Sequence, residues 1–446
     1  MMSTLIALLF LGIGAILAVV NPLAYVTMFS LVGASDISFG IVNYLNEGFR
    51  YYQFFMECLL LLSLLVILSR SGFSFKKNDY AGQLCVLLII WILGASLIGI
   101  FKTGANPVTI FIYSIASYSP IYLLFFLLLG KDRNVEKYFS VFLGFHVILA
   151  VLVIYLPIFG IHVLKPIASL DYLSKTFAYA ERYFGNPPAL LSNWWMVFQD
   201  KYLFNQLAHF HNSNDTGFVG ATAAFYFLYK AVTVPKHRVP HFLIGILGGV
   251  LWINSGMRGP ILGIFAGILL WILMRDTSRK RMLVAVSFVI LAVIFFEPLV
   301  TMIYDIVTSP SISHSFDTRR EIRSNGLRFI LENPILGNCG VISGLSEKTI
   351  DPHELPLRMT VLFGISGGLM ILLLVYALPV KAVFLKQRNL MQYVFMMIAF
   401  AVSLTNNYTD ISLFYFMLYL AVFSPDHSSE VNKHEKSTIH RKIRLS

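Results

Sequence analysis

Long apolar stretches alternate with short polar connections along almost the whole chain. An apolar run of roughly 17–25 residues is long enough for an α-helix to cross the hydrocarbon core of a bilayer. We predict about twelve such helices, within a range of roughly 11 to 14. The runs cover residues 4–33, 51–69, 81–101, 108–129, 138–164, 214–230, 241–256, 260–274, 282–307, 358–380, 389–406 and 409–424.

The first run differs from the others in length and in its interior. It is too long for the core of a signal peptide and has no Lys or Arg before Arg50, so we expect it to remain in the protein. Asn21 and Pro22 interrupt it, which predicts a kink or a division into two shorter helices.

Basic residues are concentrated in alternate connections. Because cytoplasmic connections of membrane proteins are enriched in Lys and Arg, this set and both termini are predicted to be cytoplasmic. The residues are Arg70, Lys76, Lys77, Lys131, Arg133, Lys137, Lys230, Lys236, Arg238, Arg275, Arg279, Lys280, Arg281, Lys381, Lys386 and Arg388, with five more in the tail.

Composition agrees with this pattern. The chain is 57% hydrophobic and 13% charged, with a mean hydropathy of +0.73, whereas about a quarter of a soluble domain is charged. We therefore predict an all-α polytopic membrane protein, with one membrane domain over residues 1–424 and a basic cytoplasmic tail over 425–446. The net charge of +11 follows from the inner connections and tail, so no nucleic-acid partner is expected. Three cysteines in no regular pattern predict neither a disulfide nor a cysteine metal site.

The opposite face carries two long connections, 165–213 and 308–357, in which we expect short helices. The first is rich in aromatic residues, including Trp194 and Trp195. Such residues favour the membrane interface, and stacking on sugar rings is the functional alternative. The working face is therefore predicted to be the outer one.

The second long connection holds four arginines within ten positions, at 319, 320, 323 and 328. Thr318 is a candidate helix cap and Pro334 a candidate stop, and apolar residues at helical spacing between them predict an amphipathic helix. Arg319 and Arg323 lie four positions apart, where like charges repel unless an anion binds. Arg328 is assigned to the lipid surface.

Three other polar positions are candidates for chemistry. Arg258 is the one charge in the turn from Ser255 to Pro260, where a guanidinium either reaches lipid headgroups or binds a phosphate in bidentate fashion. His353 precedes the span near Arg358 and titrates near neutrality. His211, Asn212 and Asp215 favour hydrogen bonding to sugar hydroxyls or capping of the next helix over metal binding.

Together these motifs resemble the superfamily of O-antigen ligases and Wzy-type O-antigen polymerases. The matching features are the Ser-x-Arg-Gly-like turn, the helix arginine Arg319 followed fifteen residues later by Pro-x-x-Gly, His353, and a glycine, Gly364, eleven residues after that histidine. The resemblance covers about residues 210–380. Two positions depart from it: Glu354 stands where Asn is usual, and Arg323 stands where an aromatic residue is usual.

The resemblance implies a GT-C-like fold and an inverting, metal-independent glycosyltransferase without a cofactor. Arg258, Arg319 and His353 would be catalytic, with Arg320 and Arg323 as further diphosphate contacts. Glu354 joins the weak glycan-binding candidates. We expect a polymerase of undecaprenyl-diphosphate-linked oligosaccharide repeat units, such as those of O-antigen, at the periplasmic face of the bacterial inner membrane.

Two alternatives stay open at this point. One is a ligase that transfers finished polymer to lipid A-core, and the other is a flippase or transporter of the same lipid-linked sugars. Membrane lipids, a chain-length regulator and the flippase of the pathway are the other expected partners.

Overall fold

The fold is described for a defined part of the chain in a computed structural model. The described residues are 2–28, 49–71, 80–104, 106–107, 110, 120–129, 135–155, 213–255, 257, 259–275, 310–341, 352, 354–385, 389–405 and 411–423.

These residues are almost entirely helical, and no β-strand occurs among them, which confirms the all-α class for this part of the chain. The helices are α1 (Met2–Val20), α2 (Pro22–Met28), α3 (Phe49–Ser71), α4 (Tyr80–Thr103), α5 (Ile121–Leu129), α6 (Val135–Tyr155), α7 (Ser213–Thr233), α8 (Arg238–Ser255), α9 (Gly259–Arg275), α10 (Pro310–Glu332), α11 (Leu355–Leu372), α12 (Leu378–Leu385), α13 (Leu390–Thr405) and α14 (Ile411–Leu418).

Three of the described helical segments are long and apolar enough to cross a membrane: Tyr80–Thr103, Val135–Leu152 and Leu355–Ala382. The third joins α11 to α12 through a π-helical turn at Leu373–Ala377. A fourth candidate is the pair Gly217–Thr233 and Pro235–Ser255, whose axes change direction by 119°. The count of about twelve spans and the GT-C-like architecture remain predictions, and the run 282–307 and most of the connection 165–213 lie outside the described residues.

The predicted interruption at Asn21 and Pro22 is confirmed, because α1 ends at Val20 and α2 begins at Pro22. The Asn21 side chain donates to the Tyr138 hydroxyl at 2.7 Å, and Arg70 donates to the Val19 carbonyl at 2.8 Å. The break therefore lies beside the ends of α3 and α6 that carry basic residues.

A second contact joins two basic connections that the sequence assigns to one face. Lys230 at the end of α7 pairs with Glu136 at the start of α6, with 2.5 Å between Nζ and Oε1. The Lys230 ammonium also lies 5.7 Å from the centre of the Tyr226 ring. These connections thus occupy the same end of the bundle. Their assignment to the cytoplasm stays a prediction.

Helix α10 is amphipathic as predicted, but it begins earlier than the sequence indicated. It starts at Pro310, a residue suited to the first turn because it has no N–H to leave unpaired, so Thr318 lies inside the helix rather than capping it. The helix ends at Glu332, before Pro334, as expected. Ile330 is buried while the neighbouring Leu331 is 82% exposed, so one face packs against the protein.

Close backbone contact at glycines holds two helix pairs together. A Cβ atom built on Gly220 of α7 would lie 2.8 Å from the Gly248 carbonyl of α8. On α9, a Cβ on Gly263 would overlap the Cα of Ile398, and one on Gly267 would lie 2.9 Å from the backbone nitrogen of Val394. Small residues that let backbones approach are typical of helix contacts in membranes, where dispersion rather than water exclusion drives packing.

We expect Gly263→Ala to separate α9 from α13, because the new methyl group meets backbone that cannot rotate away. Overpacking of this kind costs about 1–3 kcal/mol. The melting temperature of the purified protein in detergent should fall. Gly94→Ala is the matched control, since nothing lies within 4 Å of that position and alanine favours the helix. Equal melting temperatures for the two variants would contradict the described packing.

Candidate functional site

Helix α11 is broken at Gly364, within its apolar run. Gly364 has φ +74° and ψ −178°, a conformation that is essentially restricted to glycine. Carbonyl groups just before such a break lose their partners in the next helical turn. The Phe363 carbonyl accepts instead from the Trp91 indole N–H, at 2.8 Å. Trp91 lies near the middle of α4, roughly 17 Å from either end, so the break is at mid-depth of a membrane-length helix.

The segment 333–341, which follows α10, supplies most of the other partners at the break. Non-helical backbone at membrane depth is tolerated when its polar groups are satisfied within the protein. Three backbone N–H groups bond across this contact: Asn338 to the Val361 carbonyl at 2.8 Å, Gly340 to the Leu362 carbonyl at 2.9 Å, and Ile365 to the Pro334 carbonyl at 2.8 Å.

Two glycines make this contact sterically feasible. A Cβ on Gly364 would overlap the Ile335 carbonyl, and a Cβ on Gly337 would overlap the Val361 carbonyl. Gly337 also has a φ of +56°. The Pro-x-x-Gly turn and Gly364, which the sequence singled out as separate motifs, are therefore two halves of one contact. We call the segment 333–341 docked on the break at Gly364 the interlock.

Helix α4 completes the surroundings of the interlock. A Cβ on Gly99 would overlap the Cys339 carbonyl, so this turn of α4 lies directly against the segment. Cys339 is buried in this contact.

The interlock brings α10 beside the start of α11, where Arg323 forms an ion pair with Glu354. The Nε and Nη2 groups of the guanidinium both donate to Oε1 of the carboxylate. The Arg323 side chain is 56% exposed, whereas that of Glu354 is 16% exposed. These are the two positions at which the sequence departs from the superfamily that it resembles, and they are in contact with each other.

The other described cations of this region differ in exposure. Arg320 and Arg328 are exposed on α10, and Arg358 in the first turn of α11 is half-buried. The backbone N–H of Arg358 bonds to the Glu354 carbonyl at 2.9 Å. Arg358 was not among the predicted site residues, although its position one turn after Glu354 was visible in the sequence.

Side chains at the end of α8 form hydrogen bonds at Ser255 and Met257, which belong to the predicted turn that includes Arg258. The buried Ser255 hydroxyl donates to the Trp252 carbonyl at 2.6 Å and accepts from the Met257 N–H at 3.2 Å. The Trp252 indole donates to the Met257 carbonyl at 2.9 Å. Gly217, near the start of α7, packs against Ser255 and Met257. Ser255 and Met257 thus lie beside the beginning of α7.

Several predicted site residues lie outside the described part. Arg319 and Asp215 are described only as positions in the helical backbone, on α10 and α7 respectively. The following predicted residues are not described: Arg258, His353, His211, Asn212, Trp194 and Trp195. Their roles stay predictions.

Among the described residues, no group of three or more His, Cys, Asp or Glu side chains is arranged to hold a metal ion. Metal-independent chemistry stays a prediction.

Comparison with models of known protein families gives no match for this chain. Comparison with curated proteins gives no match either.

We predict that Gly364→Ala disrupts the interlock. The strained conformation alone costs about 1–3 kcal/mol for a residue with a Cβ, and overlap with the Ile335 carbonyl adds a further cost of about that size. The melting temperature should fall, and the segment 333–341 should become accessible to protease.

Gly104→Ala is the matched control for this variant. Gly104 also has a positive φ of +62°, but nothing lies within 4 Å of its Cβ position, so alanine there should add backbone strain without a steric overlap. If Gly104→Ala were as damaging as Gly364→Ala, the steric role of the interlock would be refuted.

Proposed function

We propose that this chain is a polymerase that joins undecaprenyl-diphosphate-linked oligosaccharide repeat units into a surface polysaccharide. It would act at the outer face of the bacterial inner membrane, with both termini in the cytoplasm. The reaction would be an inverting glycosyl transfer in which the lipid diphosphate leaves.

The observation that carries this proposal is the interlock. Its parts are the Pro-x-x-Gly turn and Gly364, two separate features of the sequence resemblance, and they are in direct contact. The contact sets α10, which carries Arg319, against the first turns of α11, which follow His353. Because one contact accounts for both the Pro-x-x-Gly turn and Gly364, it supports a common origin of this chain and the superfamily. It also supports an active site formed between these two helices.

The roles proposed for the residues follow from the negative charge that develops during the reaction. An acceptor hydroxyl attacks the anomeric carbon, the bond from that carbon to the diphosphate oxygen breaks, and negative charge develops on the departing diphosphate. Preorganised cations stabilise such charge most when they are fixed before the reaction. Arg258 and Arg319 are assigned this role. The hydrogen-bonded turn around Ser255 would hold Arg258 in place.

His353 has two candidate roles in this scheme. It accepts the proton of the acceptor hydroxyl, or it donates a hydrogen bond to the diphosphate. Glu354 in place of the usual Asn favours a polymerase over a ligase, because the His-Asn pair is most regular in the ligases.

Deletion of the gene in its native host separates the candidate functions. Loss of a polymerase should leave lipopolysaccharide with a single repeat unit, whereas loss of a ligase should leave core without any repeat. A full-length ladder in the deletion strain would be incompatible with both functions.

Complementation of that strain tests the residues. Arg319→Gln should lower the polymerisation rate of lipid-linked repeats in membranes by about 10²–10³-fold, the usual loss when one group stabilising a developing anion is removed. His353→Ala should also impair it. Arg328→Gln is the control, since Arg328 lies exposed on the same helix and is assigned to the lipid surface. Normal polymerisation by the double variant of Arg319 and His353 would refute the catalytic assignment.

A further inference from the structure

The Arg323–Glu354 pair joins α10 to α11 at positions close in sequence to the residues proposed as catalytic. Arg323 lies one helical turn after Arg319 on α10, and Glu354 directly follows His353 at the start of α11. Consecutive Cα atoms are about 3.8 Å apart, and four helical residues span about 6 Å. Each partner is therefore separated from its catalytic neighbour by only a short piece of chain, one helical turn in α10 and one peptide bond before α11.

The Glu354 side chain serves this contact rather than its own helix. Glu354 occupies the N-cap position of α11 in an extended conformation, with φ −84° and ψ 125°. A side chain at this position commonly accepts a hydrogen bond from the first helical turn. Glu354 makes no such capping bond, and its carboxylate accepts both N–H groups from Arg323.

Arg323 and Glu354 are unequally exposed, and this difference predicts how much removal of each side chain destabilises the structure. Glu354 is the less exposed group, so its charge depends on Arg323 to replace lost hydration. Arg323 remains largely in contact with solvent, so water hydrates its guanidinium group when Glu354 is removed. Loss of Arg323 should thus harm the structure more than loss of Glu354.

We propose that the Arg323–Glu354 pair is a positioning device that sets Arg319 and His353 at their working separation. This inference rests on the proposed function. Arg323 then acts through Arg319 and is neutralised by Glu354, instead of serving as a further diphosphate contact. Two N–H groups converging on a carboxylate fix orientation as well as distance, which a lysine in place of Arg323 would not reproduce.

A double-mutant cycle tests the pair in the full-length protein. Arg323→Gln and Glu354→Gln should each lower kcat for lipid-linked repeat units by tenfold or more with a smaller effect on KM, since misplacement of reacting groups by about 1 Å can cost 10²-fold. The double variant should be no slower than the slower single variant. The charge-swapped variant, Arg323→Glu with Glu354→Arg, should recover activity above either single variant.

One set of results from the double-mutant cycle would contradict the positioning role. Additive losses in the double variant, together with no recovery in the charge-swapped variant, would overturn the positioning role. Melting temperatures of the same variants report on structure, and Arg323→Gln should lower the melting temperature more than Glu354→Gln does.

A chemical cross-link separates failure of this inference from failure of the proposed function. In a chain whose native cysteines Cys58, Cys85 and Cys339 are replaced by alanine or serine, the paired substitutions Arg323→Cys and Glu354→Cys should be joined by a short bis-maleimide reagent. The linked peptides are detected by mass spectrometry. The pair Arg328→Cys and Glu354→Cys is the matched control, because Arg328 lies more than one turn further along α10.

The cross-link and the polymerisation activity together distinguish failure of the inference from failure of the proposed function. Absence of the cross-link between Arg323→Cys and Glu354→Cys shows that α10 and α11 do not meet at these positions, and it overturns the inference whatever the activity of the unsubstituted protein. Efficient cross-linking, together with no polymerisation of lipid-linked sugars by the unsubstituted protein, leaves the contact intact and refutes the proposed function, and with it the positioning role.

Discussion

The low polarity of a membrane makes every unpaired backbone group costly, and this constraint explains the centre of the molecule. A helix broken at Gly364 would be strongly destabilised in lipid if its carbonyl groups had no hydrogen-bond partners. The segment 333–341 and the indole of Trp91 supply hydrogen bonds at the break. Gly337 and Gly364 allow the two backbone segments to approach each other. The position of α10 relative to α11, and hence the Arg323–Glu354 pair, follows from that requirement.

Much of the helical framework was predictable because bilayer thickness and hydropathy determine it. Predicted runs such as 81–101 and 389–406 match Tyr80–Thr103 and Leu390–Thr405 closely, and the interruption at Pro22 follows from its missing N–H. Helix α10 begins before the predicted cap at Thr318, because Pro310 already suits a first helical turn.

The contacts that build the candidate site were harder to predict, since they join residues far apart in sequence. Trp91 and Phe363 are separated by 272 positions, and neither belongs to a motif. One signal was available: a tryptophan in the middle of an apolar run needs an acceptor for its indole N–H. A second signal was the opposite charge of Arg323 and Glu354, the two departures from the family pattern. Periodicity describes single elements, whereas these contacts depend on how elements meet.

The interlock also imposes an order on the maturation of the chain. Helix α4 is synthesised long before α11, while the segment 333–341 emerges only shortly before the break that it must satisfy. The Val361 and Leu362 carbonyls bond to the segment 333–341, which is close to them in sequence. The Phe363 carbonyl instead acquires its partner only after α11 has packed against α4. Contacts of such high sequence separation form slowly, because distant parts of the chain must first be brought together. Packing of α4 against the interlock is therefore a late step in folding.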